Sequence, residues 1–112
     1  MIKSYAKINL SLNVLGKLKS NYHRIETIVS FINLCDEIYI KKINQKNHKT
    51  LFYGKFSKGI TSKNTINKVI NLMDEKDILK GKKYLIKIKK NIPQKAGLGG
   101  GSMNAASILK YF

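Results

Sequence analysis

The chain has one cysteine, Cys35, one proline, Pro93, and one arginine, Arg24, in 112 residues. A lone cysteine excludes an internal disulfide. Set among apolar neighbours, Cys35 reads as a buried reduced thiol, which suits the cytoplasm. The two histidines, His23 and His48, lie far from each other and from Cys35, so a protein zinc site is not expected. No apolar run reaches the ~18–20 residues that span a bilayer. The first residues carry Lys3 but no apolar signal core, so neither export nor a membrane partner is expected. Carboxylates are scarce too: Glu26, Asp36, Glu37, Asp74, Glu75 and Asp77. None sits in a motif that marks a general base. Asp36 and Glu37 flank a strand, and the last three are expected on the solvent side of a helix.

Positive charge is abundant. Lys+Arg number 22 against 6 Asp+Glu, a formal charge of +16. Such a balance suits a polyanionic partner. Yet the cations are almost all lysine, whereas nucleic-acid readers favour arginine for bidentate contacts. The lysines are spread along the chain, which is also heavy in Ile and Asn, as in an A/T-rich coding bias. Compositional drift therefore accounts for most of the charge, and a nucleic-acid partner is not expected. The length suits one small domain, burying roughly 65% of its unfolded surface. A 43% hydrophobic content is globular.

Residues 4–14 alternate, with Ile8, Leu10, Leu12 and Val14 on one face and Lys7, Asn9, Ser11 and Asn13 on the other. This predicts a half-buried strand. Gly16 to Asn21 reads as a turn. Residues 25–34 form a second strand, 38–40 a third and 51–53 a short fourth, with a polar loop over 54–63. Asn64 looks like an N-cap. Ile66, Val69, Ile70 and Met73 then recur at helical spacing, predicting a helix to about Leu79 with Lys80-Gly81 as its stop. Tyr84, Ile86 and Ile88 alternate with Leu85, Lys87 and Lys89 in a fifth strand ended by Pro93. An Ala-rich run closes the chain as a second helix. Strands, helix, strand, helix is an α+β order.

Four of the eight glycines fall within residues 97–101, between the last strand and the last helix. Glycines let backbone approach a ligand closely. A helix start offers unpaired N–H groups and partial positive charge to a phosphate. The sequence is neither a Walker A loop nor a dinucleotide fingerprint. An isolated glycine cluster can also be a linker or tight turn; the strand-to-helix setting favours phosphate. Lys7 and Asn9 share a strand side roughly 6–7 Å apart. They could hold a hydroxyl and a phosphoryl group, or simply form a solvated face. Tyr22-His23 could stack on and hydrogen-bond a nucleobase, or be an ordinary surface turn.

Three segments together resemble the GHMP kinase superfamily: Ala6-Lys7-Ile8-Asn9-Leu10, Tyr22-His23 with the β-run ending at Cys35-Asp36, and Pro93-x-x-x-Gly97-Leu98-Gly99-Gly100-Gly101-Ser102-x-Asn104-Ala105-Ala106. The resemblance runs through all 112 residues. The first two segments narrow it to the branch acting on a cytidine diphosphate compound. It implies an α+β domain with a mixed sheet and helices on one face, of a type also seen in a small-subunit ribosomal protein and elongation factors. It implies ATP and Mg²⁺ as cofactors and phosphorylation of the 2-hydroxyl of 4-diphosphocytidyl-2-C-methyl-D-erythritol, in isoprenoid biosynthesis. In that reading Lys7 is catalytic, and Asn9, Tyr22 and His23 bind the substrate, Tyr22 stacking on the cytosine. Asn64, Lys90, Pro93, Gly97, Leu98, Gly99, Gly100, Gly101 and Ser102 bind ATP, with Asn64 and Lys90 toward the adenine.

Two departures stand out. The family has Asp-Gly where this chain has Ser20-Asn21, and a second serine where it has Met103. The family's catalytic aspartate would lie beyond Phe112, so residues 1–112 correspond to an N-terminal, ATP-binding domain of a longer enzyme, without its second domain. Two alternatives compete. Another superfamily kinase, acting on homoserine or a mevalonate derivative, would have no base for Tyr22-His23 to stack on. A basic RNA-binding module would leave the glycine loop unexplained. Oligomeric state is not legible.

Overall fold

A computed structural model describes residues 1–20 and 22–112. Its elements are β1 (Ile2–Lys17), β2 (His23–Ile43), β3 (Lys49–Tyr53), α1 (Thr65–Glu75), β4 (Lys83–Lys89) and α2 (Gly100–Tyr111). The strands form one sheet in the order β1-β2-β4-β3. β1 with β2 and β2 with β4 are antiparallel, whereas β3 lies parallel to β4, with α1 crossing between them. The mixed sheet and α+β order agree with expectation.

The core lies between one sheet face and the two helices. Ile38 of β2 and Ile86 and Ile88 of β4 point inward against Ile66, Ile70 and Met73 of α1 and Ala105 and Ile108 of α2. Period-2 alternation in β4 and i, i+3, i+4, i+7 spacing in α1 supply these faces. Each such side chain contributes about 1.5–3 kcal/mol when fully buried. Asn64 caps α1 as expected, its Oδ1 accepting from the Asn67 amide at 2.9 Å. On the other sheet face Tyr39, Leu51 and Tyr53 stay partly exposed.

Five local expectations are corrected. The second and third strands are one, since β2 runs unbroken through Asp36-Glu37. The Asp36 side chain is buried and fully hydrogen-bonded, so its polarity does not interrupt the strand. α1 stops at Glu75 rather than near Leu79. Ile78 N–H donates to the Met73 carbonyl and Asp77 N–H to the Asp74 carbonyl, with Asp77 at φ 55°: a Schellman stop without glycine. Asp74 does not simply face solvent. Its Oδ2 accepts from Lys83 Nζ at 2.5 Å and His48 Nε2 at 3.0 Å. His48 Nδ1 accepts the Tyr84 amide at 3.1 Å, which places the imidazole proton on Nε2. Cys35 is free and half-buried rather than buried.

The fifth correction concerns β1. Beyond Ala6 the β1–β2 hairpin leaves the helices and continues as a two-stranded ribbon. Leu10, Leu12 and Val14 are 62, 52 and 62% exposed, so the expected buried face does not form. The register with β2 shifts between Tyr5 and Lys7, Asn9 and Ser11, and Val14 and Gly16, which breaks the alternation. β1 also extends to Lys17, past the expected start of the turn, and Gly16 pairs with Arg24. The part of that turn at Asn21 lies outside the described residues.

Candidate functional site

The glycine segment joins β4 to α2 as the sequence predicts. Lys95, Gly97 and Gly99 have positive φ, and Gly99 caps α2 in the left-handed region at φ 67°. The first intrahelical bond runs from Met103 N–H to the Gly99 carbonyl at 2.9 Å. The amides of Gly100, Gly101 and Ser102 therefore have no partner within the helix. No acidic side chain occupies the first turn of α2. The positive end of the helix dipole is left for an external anion.

These amides border a cavity of about 400 Å³. Pro93 to Ser102 line one side; Ile60, Lys63, Asn64 and Thr65 line the other, with Lys90 and Asn104 also in its wall. Gly100 lets the loop pack closely on the buried Ile92 beneath it, since a Cβ there would stand 3.1 Å from Ile92 Cγ2 and 3.5 Å from Lys90 Nζ. No aspartate or glutamate lines the cavity.

Lys7 reaches the loop from β1. Its N–H donates to the Leu98 carbonyl at 3.0 Å. Its stem lies over Gly99, where a Cβ would stand 2.9 Å from Lys7 Cε and 3.1 Å from Cγ. Two segments more than ninety residues apart in sequence thus meet at a glycine. Asn9 lies two residues further along β1 within a regular stretch of register, which puts it on the same ribbon face as Lys7. Asn9 is exposed.

The other expected site residues divide. Pro93, Gly97, Leu98, Gly99, Gly100, Gly101 and Ser102 all border the cavity. Asn64 borders it too, but its side chain is committed to the cap of α1 and to the Thr61 carbonyl at 2.8 Å. Lys90 is 4% exposed, and its Nζ is bonded to Asp36 Oδ2. Lys90 thus stands in the cavity wall with its ammonium committed to a buried ion pair. Tyr22 and His23 are not brought to the loop. His23 opens β2 opposite Lys17, ten residues along the ribbon from Lys7, and both side chains are exposed.

The sequence reading missed Asp36 as a member of the site. This fully buried carboxylate accepts from Asn91 N–H at 2.7 Å, Ile92 N–H at 2.9 Å, Asn104 Nδ2 at 2.8 Å and Lys90 Nζ. The available signal was a charge in the apolar run Asn33-Leu34-Cys35-Asp36-Glu37-Ile38. Beside it, Asn104 Oδ1 and Ser4 Oγ are buried without a partner.

A strand–glycine–helix junction with three free amides at the helix start, overlaid by a lysine from the first strand, is the geometry to set beside known proteins. Residues 64–112 match the model of the GHMP kinases N terminal domain. The chain is 59% identical over 111 residues to the 4-diphosphocytidyl-2-C-methyl-D-erythritol kinase of Pelagibacter ubique (strain HTCC1062), covering 99% of this chain and 39% of that protein. It is 42% identical over 108 residues to the enzyme of the same name from Thermoanaerobacter pseudethanolicus (strain ATCC 33223 / 39E), covering 96% and 36%. A crystal structure of 4-(cytidine 5'-diphospho)-2C-methyl-D-erythritol kinase superposes with a TM-score of 0.75 at 28% identity, over 98% of this chain and 38% of that one. The fold is thus that of a GHMP kinase N-terminal domain. The chain spans about two fifths of the length of the curated relatives it matches.

Proposed function

We propose that residues 1–112 form the ATP-binding domain of a small-molecule kinase. Its reaction is transfer of the ATP γ-phosphoryl group to the 2-hydroxyl of 4-diphosphocytidyl-2-C-methyl-D-erythritol, in isoprenoid biosynthesis in the cytoplasm. The observation that carries this reading is the seating of Lys7 over Gly99. It sets an ammonium-bearing side chain at the same loop that offers three free amides. Phosphoryl transfer depends mostly on positioning and charge stabilisation, which such groups supply.

In this reading ATP occupies the cavity beside Asn64, and the amides of Gly100, Gly101 and Ser102 donate to its phosphates. Lys7 neutralises charge on the group in flight, and Asn9 orients the acceptor. Tyr22 and His23, at the far end of the ribbon, take the cytosine end of an elongated substrate. Mg²⁺ fits this set poorly. Among the described residues no three His, Cys, Asp or Glu side chains group together, and the cavity has no carboxylate. No step is therefore assigned to the metal. The same absence leaves the chain without a proton acceptor at the loop, because Asp36 is fully engaged. The 112-residue chain is expected to bind nucleotide and to turn over little by itself.

The test is equilibrium titration with a non-hydrolysable ATP analogue. Binding that Gly100→Val abolishes supports the reading, and unchanged binding in that variant contradicts it. One observation favours a second reading, a basic single-stranded nucleic-acid module. A pocket on the sheet face away from the helices is lined by Tyr39, Tyr53, Lys41 and Lys87. Aromatic faces between cations suit stacked bases.

A further inference from the structure

We propose that Asp36 is the positioning residue of the phosphate cradle. Its carboxylate holds together the two ends of the loop that, on the reading above, binds nucleotide. Asp36 lies in the middle of β2, the strand paired on both sides, with 0% exposure. Its Oδ1 accepts from the amides of Asn91 and Ile92, at the entrance to the loop. Its Oδ2 accepts from Asn104 Nδ2, one turn into α2 and so at the loop's exit, and from Lys90 Nζ. A fifth bond, Asn91 Nδ2 to the Cys35 carbonyl at 3.0 Å, reinforces the entrance.

A buried carboxylate is costly unless donors surround it. Four donors converge here, and both oxygens serve two of them. An amide in its place would turn an NH₂ toward two of these donors. The loop between has few ties of its own beyond the Lys7 bond to the Leu98 carbonyl and the start of α2. Gly97, Gly99, Gly100 and Gly101 have no side chains, and Gln94 reaches away to the carbonyls of Phe56 and Lys58. Asp36 thus fixes from below the entrance and the exit between which the Gly100–Ser102 amides are aimed, and itself touches no ligand. The pairing also places Lys90 Nζ under Gly100, 3.5 Å from where a Cβ would stand, and keeps it from swinging into the cavity.

The experiment compares the 112-residue chain with Asp36→Asn and with the double variant Asp36→Asn, Asn104→Asp, which returns a carboxylate to the same cluster from α2. Amide hydrogen exchange and chemical shifts are read without nucleotide, and affinity for a non-hydrolysable ATP analogue is measured separately. Asp36→Asn is expected to lose protection and shift resonances over 90–92 and 97–103 while α1 stays native, to weaken the analogue at least tenfold, and to recover in the double variant. Native loop resonances in Asp36→Asn would overturn the proposal. So would loss spread equally over α1 and the loop with no recovery in the double variant. If the unsubstituted chain binds no analogue, the nucleotide reading fails, and the nucleotide-free exchange data still decide the role of Asp36.

Discussion

The backbone N–H of Lys7 donates to the Leu98 carbonyl across 3.0 Å, binding the first strand to the glycine loop. This bond sets the height of the Lys7 stem over Gly99, and with it the spacing between a cation and three free amides. Strand and loop therefore act as one unit, and damage to either is felt by both.

Gly99→Ala tests that unit. The new Cβ would meet Lys7 Cε at 2.9 Å, on a backbone at φ 67°. A left-handed alanine costs about 1–2 kcal/mol. Displacing Lys7 adds to this. The variant is expected to unfold at lower urea and to bind the ATP analogue about tenfold more weakly, or about 1.4 kcal/mol. Gly101→Ala, whose Cβ meets no protein atom within 4 Å, is expected to keep a near-native urea midpoint.

Lys7→Ala separates binding from chemistry. In a chimera that joins this domain to the remaining length of the Pelagibacter relative, kcat is expected to fall about 100-fold or more, a magnitude common for loss of one charge-stabilising group. Affinity for ATP should change much less. Steady-state kinetics against ATP and the cytidyl substrate read the split, and near-native kcat would contradict the role.

Asp77→Gly is expected to stabilise the chain. Asp77 stands at φ 55° in the αL position of the helix stop, where glycine carries no Cβ penalty. The gain should reach about 1 kcal/mol at most, since glycine also raises the entropy of the unfolded chain. Urea midpoints with unchanged slope would show it.

Acid should weaken the contact between α1 and β4. The Lys83 hydrogen bond holds the Asp74 carboxyl below its ordinary 3.8; partial burial opposes this, and His48 assists it. With a depressed folded-state pKa, the contribution is fully present above the unfolded value. It fades as pH falls through the folded one. As pH falls below the ordinary 3.8 and through the lowered value, stability should drop more steeply in the native chain than in Asp74→Asn.

The sequence made β4, α1 and the glycine junction legible because their signals are local: alternation, helical spacing, a cap and a cluster of glycines. Leu10, Leu12 and Val14 show the limit. Their alternation is real, but burial needs a second layer, and the ribbon has none among the described residues. Asp77 ends α1 without the glycine that would have announced it. Asp36 was opaque for another reason. Its side-chain partners Lys90 and Asn104 lie 54 and 68 residues away, so no local pattern could connect them. Lys7 was legible from its strand face as one of two readings, phosphoryl holder or solvated lysine, and the fold then seated it on Gly99.

The nucleic-acid alternative has its own signature. Binding of a single-stranded oligonucleotide through the Tyr39 and Tyr53 face would fall steeply with salt. Tyr39→Ala would then weaken it while leaving ATP binding untouched.

The central claim is that the Gly100–Ser102 amides, roofed by Lys7, are a nucleotide phosphate site. Titrating the ¹⁵N-labelled 112-residue chain with a non-hydrolysable ATP analogue tests it most directly. The account predicts saturable amide shifts concentrated at Lys7 and Gly97 to Met103, absent in Gly100→Val. Saturable shifts centred instead on Tyr39, Lys41, Tyr53 and Lys87, or no shifts at the loop, would contradict it.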